Sequence, residues 1–314
     1  MNQEKQLLVF KDNPKDLDLE NFLTLTYCLV DELYQTLKYL VDRPGPSPLF
    51  SDSEVICLNL VGQMASDSEK SWHGFVRKNY KHLFPKLLER SRYHRRCKDL
   101  QQITELMRVK LLYFMETHLQ NWFVMDSMPV PVCVYTRASR NLRFATDFQV
   151  DNSNLYGHCA AKKEDYYGFK LHLLVTTQGI PAHYVLAPSS HHDVVLGSEV
   201  LESYRKYTLT LFDKGYVGLE KRLIKPDDYQ LIIQKRDNQT PNTPIEKAFL
   251  GTFRKTIETT NSLLAGQFNL QFSRAKSAWG LTNRVIAKIT ALTLSIFINY
   301  CLDLPLLEVK NFIF

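Results

Sequence analysis

The sequence predicts an α/β protein: a sheet domain with flanking helices, preceded by an all-helical N-terminal domain. Two observations carry this. Up to about residue 118 apolar residues recur at helical spacing and no strand-like alternation appears. From about residue 120, short β-prone runs are bounded by turn formers, until helical spacing returns at 244–266 and 279–302. Strands and helices joined by a crossover build an α/β sheet.

The elements follow in chain order. Asn21 to Leu40 carries Leu25, Cys28, Leu29, Leu33, Leu37 and Leu40 at helical spacing. Pro44-Gly45-Pro46-Ser47-Pro48 breaks the chain. Ser51-Asp52-Ser53-Glu54 reads as a helix start, continued by Val55 to Met64. Trp122 to Met125 is a short apolar run ending in Asp126. The span 136–166 is polar and irregular and is expected to be loop. Phe169 to Thr177 alternates as a half-buried strand, with Lys170, His172 and Thr176 on the open face. Tyr207 to Phe212, ending at Asp213, and Tyr229 to Gln234 are two further β-prone runs.

Composition bounds the rest. The chain has 314 residues, 45% hydrophobic and 23% charged, which suits one large domain or two ordinary ones with a sizeable core. A formal charge of +6 permits a nucleic-acid partner without demanding one. The six cysteines form no CxxC pair, so neither a zinc ribbon nor a disulfide frame is indicated. The opening MNQEKQLLVFKDNPKD is polar, and the apolar stretch Val285 to Leu302 contains Lys288 and Asn299. A cytoplasmic protein with no membrane span is expected.

Residues 77–98 are unusually basic: nine Lys and Arg, among them Arg77, Lys78, Lys81, Arg92, Arg95 and Arg96, against Glu89 alone. Tyr80, Phe84 and Tyr93 are interleaved. Such a cluster can neutralise phosphates. A solvated helical face is the other reading.

Asp126 and Asp213 each close a β-prone run and precede turn-forming residues, Ser127 with Pro129 and Lys214-Gly215. Carboxylates at strand ends lie where open sheets bind ligands. Two close carboxylates repel unless a cation sits between them, and Mg²⁺ prefers oxygen ligands. Glu258, four residues after Arg254 on a helix, is a third acid; alone, the two would be an ordinary surface ion pair.

Taken together, Asp126-Ser127-Met128-Pro129, Asp213-Lys214-Gly215-Tyr216 and Arg254-x-x-x-Glu258 occur in that order, the first two acids 87 positions apart and the last two 45. The pattern resembles the DDE transposases of the ribonuclease-H-like superfamily. Asp-Ser-x-Pro-Val-Pro-Val-Cys at 126–133, Tyr-Gly-Phe-Lys-Leu-His at 167–172, His192-Asp193 and Ile257-Glu258-Thr259 are similar to the branch named for insertion sequence nine-eight-two. So are Ser-Asp-Ser-Glu-Val at 51–55 and Phe84-Pro85 in the helical part. The resemblance covers roughly residues 20–300. It departs where better-studied relatives carry Tyr and Lys, here Gly251 and Ala265; Lys255, Arg274 and Lys276 are candidates to supply the phosphate contacts.

The resemblance implies a ribonuclease-H-like mixed sheet and a division into a helical DNA-binding domain at 1–118, a catalytic domain at 119–302 and a tail at 303–314. It implies that Asp126, Asp213 and Glu258 are catalytic and hold two Mg²⁺ or Mn²⁺ ions, which cleave and join DNA strands at insertion-sequence ends. Lys170, His172, Lys214, Arg254, Arg274 and Lys276 are expected to reach DNA. His192-Asp193 reads as a capped surface turn, with a further carboxylate near the metals as the alternative. The implied partner is double-stranded DNA bound by a homodimer, in the cytoplasm at the nucleoid. The alternatives are a nuclease that only hydrolyses and a domesticated transposase that only binds.

Overall fold

The computed structural model describes residues 18–41, 45–66, 68–159 and 162–309. The opening stretch 1–17 and the last residues of the tail, 310–314, lie outside them. The chain divides into two compact units: Met1–Met115 with Thr282–Phe314, and Glu116–Leu281.

In the first unit the described elements up to Met115 are helices: α1 (Leu19–Gln35), α2 (Asp52–Ala65), α3 (Glu69–Asn79), α4 (Arg90–Asp99) and α5 (Gln101–Phe114). Helix α2 starts as its sequence signals. The Ser51 side chain accepts from the Glu54 N–H while the Glu54 carboxylate accepts from the Ser51 N–H, so two end amides are satisfied reciprocally. The last helix, α9 (Ala278–Cys301), was expected to belong with the sheet. From Thr282 on, it groups instead with the first unit. Arg284 donates to both Glu69 oxygens at 2.8 Å, and the Phe297 ring lies 6.3 Å from Phe114. Helix α9 is long and apolar enough to cross a membrane, yet 83% of its apolar window is buried within the protein, as a core helix is.

The second unit holds a six-stranded mixed sheet: β1 (Trp122–Cys133), β2 (Tyr156–Cys159), β3 (Glu164–Thr176), β4 (Pro181–Pro188), β5 (Thr208–Phe212) and β6 (Tyr229–Ile233). The order is β2-β3-β1-β5-β6, with β4 continuing the β2 side of β3. Strand β1 pairs antiparallel with β3 and parallel with β5, and β5 is parallel to β6. Helix α7 (Asp193–Tyr204) crosses over before β5 and shares a core with Phe123, Met125, Phe212 and Tyr216. Helix α8 (Pro244–Ser262) lies against β1 and β5. Trp122 meets Phe249 edge to face at 5.0 Å, and Thr260 donates to the Gly179 carbonyl.

Two expectations are corrected. The span 136–166 is not simply loop: it forms a short helix, α6 (Arg143–Phe148), the edge strand β2 and the start of β3. These polar residues cover the far side of β3, where Tyr167 donates to the Asn141 carbonyl and the Asn152 side chain. Strand β3 is buried on both faces rather than half-buried, because α7 packs over the face that carries Leu174 while Phe144 and Phe148 of α6 pack on Phe169 of the other. Gly168 in β3 must be glycine: at φ +157° a Cβ would fall 2.4 Å from the Val130 carbonyl oxygen.

Candidate active site

Asp126 does not end its strand, as the sequence suggested; β1 runs seven residues further, to Cys133. What ends at Asp126 is the parallel ladder, whose last pair is Met125 with Phe212. Asp126 and Asp213 are therefore the next residues on two neighbouring parallel strands, which run about 4.8 Å apart. Strand alternation sends Phe123, Met125 and Phe212 into the α7 core, so the two aspartates emerge on the opposite, α8 face. Prolines 129 and 131 fit within β1 because β5 has already stopped beside them.

Asp126, Asp213 and Glu258 line one cavity of about 340 Å³, together with Ser127, Gln234, Arg254 and an apolar floor that includes Val124, Leu211 and Ile257. Asp126 accepts from its neighbour's amide, Ser127 N–H, at 2.7 Å and from Asn261 Nδ2 on α8 at 3.0 Å. Asp213 caps the turn Lys214–Tyr216, accepting from Gly215 N–H at 2.8 Å. Glu258 Oε1 accepts from Arg254 Nε at 2.8 Å, and Arg254 Nη1 donates to Gln234 at 3.0 Å.

A fourth acid stands closer to the aspartates than the sequence implied. Asp193 opens α7, and a Cβ placed on Gly215 would lie 3.0 Å from an Asp213 oxygen and 3.4 Å from an Asp193 oxygen. Its Oδ1 accepts from Lys170 Nζ at 2.8 Å and lies 3.8 Å from His172 Nε2. His192-Asp193 is thus not a capped surface turn, for His192 makes no side-chain cap and Asp193 faces the sheet. The His192-Asp193 pair was visible in the sequence; the approach of α7 to the β1 and β5 ends was not.

Burial and mutual repulsion set the electrostatics. Desolvation, followed by the charges of Asp213 and Asp193, pushes the Asp126 carboxyl up to about 7, against the pull of the Ser127 amide. Burial and Asp193 also raise Asp213. Burial drops His172 to about 4, so its ring is neutral near pH 7.

These donors suit a hard divalent cation: they are oxygen ligands only, and burial with repulsion from neighbouring acids raises both Asp126 and Asp213. Asp126 and Asp213 are the residues that would hold it. Among the described residues, however, no group of three His, Cys, Asp or Glu side chains is gathered closely enough to ligate an ion. Glu258 is engaged by Arg254 instead.

The expected DNA contacts divide. Lys214, Arg254, Arg274 and Lys276 are exposed. His172 is fully buried, its Nδ1 against the Tyr216 hydroxyl at 3.1 Å, which withdraws it from DNA. Lys170 is held by Asp193 and the His191 carbonyl. In the basic run, Arg77, Lys78, Lys81, Arg92 and Arg95 are exposed. Arg96 turns inward to Asp52, which is 5% exposed, and to the Phe50 carbonyl, so it is a structural residue.

With parallel strands presenting paired aspartates and a following helix presenting Arg254 and Glu258, the second unit has the layout of a nucleic-acid-processing domain compatible with a ribonuclease-H-like arrangement. The family model described as "Transposase DDE domain" matches residues 119–294, more than half of the chain, and the protein belongs to that family. No curated protein and no solved structure matches.

Proposed function

We propose that this protein is a transposase of the branch named for insertion sequence nine-eight-two, which binds the element's ends and catalyses metal-dependent DNA cleavage and strand transfer. The observation that carries this is the single cavity lined by Asp126, Asp213 and Glu258 in a DDE-family domain. The three carboxylates would hold Mg²⁺ or Mn²⁺, two ions in all, with Glu258 joining the aspartates on leaving Arg254. When bound there, such ions would supply the polarisation needed to activate water or a 3′-hydroxyl and to offset charge on the leaving oxygen in an in-line displacement at phosphorus. Asn261 and the Ser127 amide fix the Asp126 carboxylate in place. Lys214 and the Arg254 guanidinium supply charge for the scissile phosphate, and Arg254 can take it bidentately.

The exposed cations at 77–95 fit the DNA-recognition role of the helical region, 1–118, with phosphates held by Arg77, Lys78, Lys81, Arg92 and Arg95. Two ends must be brought together for strand transfer, so a homodimer on double-stranded DNA is part of the proposal. The test incubates the full chain with end DNA and Mg²⁺ or Mn²⁺ and resolves the products. Cleaved ends and joined products are expected. Cleavage without joining would make the protein a nuclease, and neither product would overturn the reading.

A further inference from the structure

Beside the acid cavity lies a larger one of about 580 Å³. Gln234, Leu250 and Arg254 line both, so the two adjoin at Arg254. Four cations border the larger cavity, Lys235, Arg236, Lys247 and Arg254, against one acid, Asp237. Arg254 is paired with Glu258; among the described residues Lys235, Arg236 and Lys247 form no ion pair.

The walls are fixed from within. Lys235 N–H donates to Asn242 Oδ1 at 2.9 Å, Asn242 Nδ2 donates to the Ile233 carbonyl, and Arg236 N–H donates to Gln239 Oε1 at 2.9 Å. The loop is thereby tied to the end of β6 and to the capped start of α8. Cations gathered on a rigid concave surface repel one another and concentrate an anion there. Leu250 and Pro241 add apolar surface, and a Cβ on Gly251 would meet nothing within 4 Å. The volume lies in the range that takes small ligands, about one or two nucleotides, and is too small for a duplex.

We propose that this groove seats the unpaired DNA strand flanking the scissile phosphate. Lys235, Arg236 and Lys247 take its backbone phosphates, and a base lies over Leu250 in the space left open at Gly251. The proposal rests on reading the acid cavity as the site of cleavage, and Arg254 then stands between the phosphate that is cut and the strand leading to it.

The test uses the full chain and a fluorescent single-stranded oligothymidine of 12 nucleotides, read by anisotropy across a salt series, with cleavage of end DNA measured in parallel. One variant, Lys235→Glu with Arg236→Glu, reverses charge. The other, Gly251→Trp, fills the groove without altering charge, and losing a helix-interior glycine does not weaken the helix. Each is expected to weaken oligothymidine binding at least tenfold with an unchanged melting temperature. The charge reversal should also flatten the slope of log K against log salt by about 1.4, roughly 0.7 for each lost phosphate contact on a single strand. Wild-type affinity in both variants overturns the proposal. So does weakening by the charge reversal alone, which would make the lysine and arginine a diffuse attraction and not a seat. Failure of the wild-type chain to cut end DNA overturns the cleavage reading separately, since oligothymidine binding is scored without cleavage.

Discussion

The acid cavity and the basic run at 77–98 carry opposite charge, and the fold treats them oppositely. Asp126, Asp213 and Glu258 are scattered along the chain, and strand register with one helix brings them to a single cavity. The basic residues are crowded together in sequence, and the fold leaves most of them in solvent but draws one in: Arg95 faces solvent while Arg96, its neighbour, is half-buried against Asp52. Density along the chain therefore does not by itself say which cation reaches the surface. Position relative to the ends of regular elements is a better guide to a site.

That contrast can be broken experimentally. The largest effect is expected at the acids. Asp213→Asn keeps side-chain volume but removes a charge, and loss of end-DNA cleavage by a factor of about 10³ or more is expected, comparable to deleting one transition-state stabiliser. Cleavage at the wild-type rate in Mg²⁺ would remove Asp213 from the chemistry.

Next come the two adjacent arginines. Arg96→Ala leaves Asp52 buried without its cation, and a loss of about 3 kcal/mol is expected in denaturant unfolding. Arg95→Ala should change stability by less than about 0.5 kcal/mol while weakening end-DNA binding. Equal effects of the two on stability would dissolve the distinction.

A smaller effect concerns pH in the presence of chelator. The folded-state value of Asp126 lies above the usual carboxylate value of 3.8, at about 7. The unfolded chain thus sheds this proton first, and the stability it contributes is present below pH 4 and is lost as pH rises through 7. Asp126→Asn removes that loss. Its advantage over wild type should grow between pH 5 and pH 8 to about 2 kcal/mol, since each tenfold change in proton affinity carries roughly 1.4 kcal/mol and relaxation of the site offsets part of it. A pH-independent difference in melting temperature would refute the burial argument.

The smallest effect belongs to the Arg254–Glu258 pair, both of whose side chains are 55% exposed. Arg254→Ala should alter stability by a few tenths of a kcal/mol. If it cost several, the pair would be a structural clamp, and Glu258 would not be free to join the aspartates.

Much of this was readable in advance. The capping signal at Ser51 and Glu54, the β-prone runs ending at Asp213 and at Gln234, and the spacing of Arg254 and Glu258 are local properties, and local chemistry decides them. The length of β1 was not readable, because two prolines argue against a strand unless the neighbour on one side is known to stop. Nor was the burial of His172 legible: alternation assigns it to the open face, and only the covering Tyr216 makes that face closed. Asp193 reached the site through the packing of α7, which no periodicity in its own sequence reveals.

The last third of β1 has a consequence for how the protein behaves as a sticky object. Along this edge the amides of residues 127, 129 and 131 share one side, facing where β5 would have continued. Ser127 has spent its N–H on Asp126, and the two prolines have none to offer. An extended peptide approaching this rim finds carbonyls but no matching donors, so it cannot zip on as an extra strand. The strand edge beside the aspartates thus offers stray polypeptide no amide donor, and the short turn Leu270–Phe272 packs against the same strand.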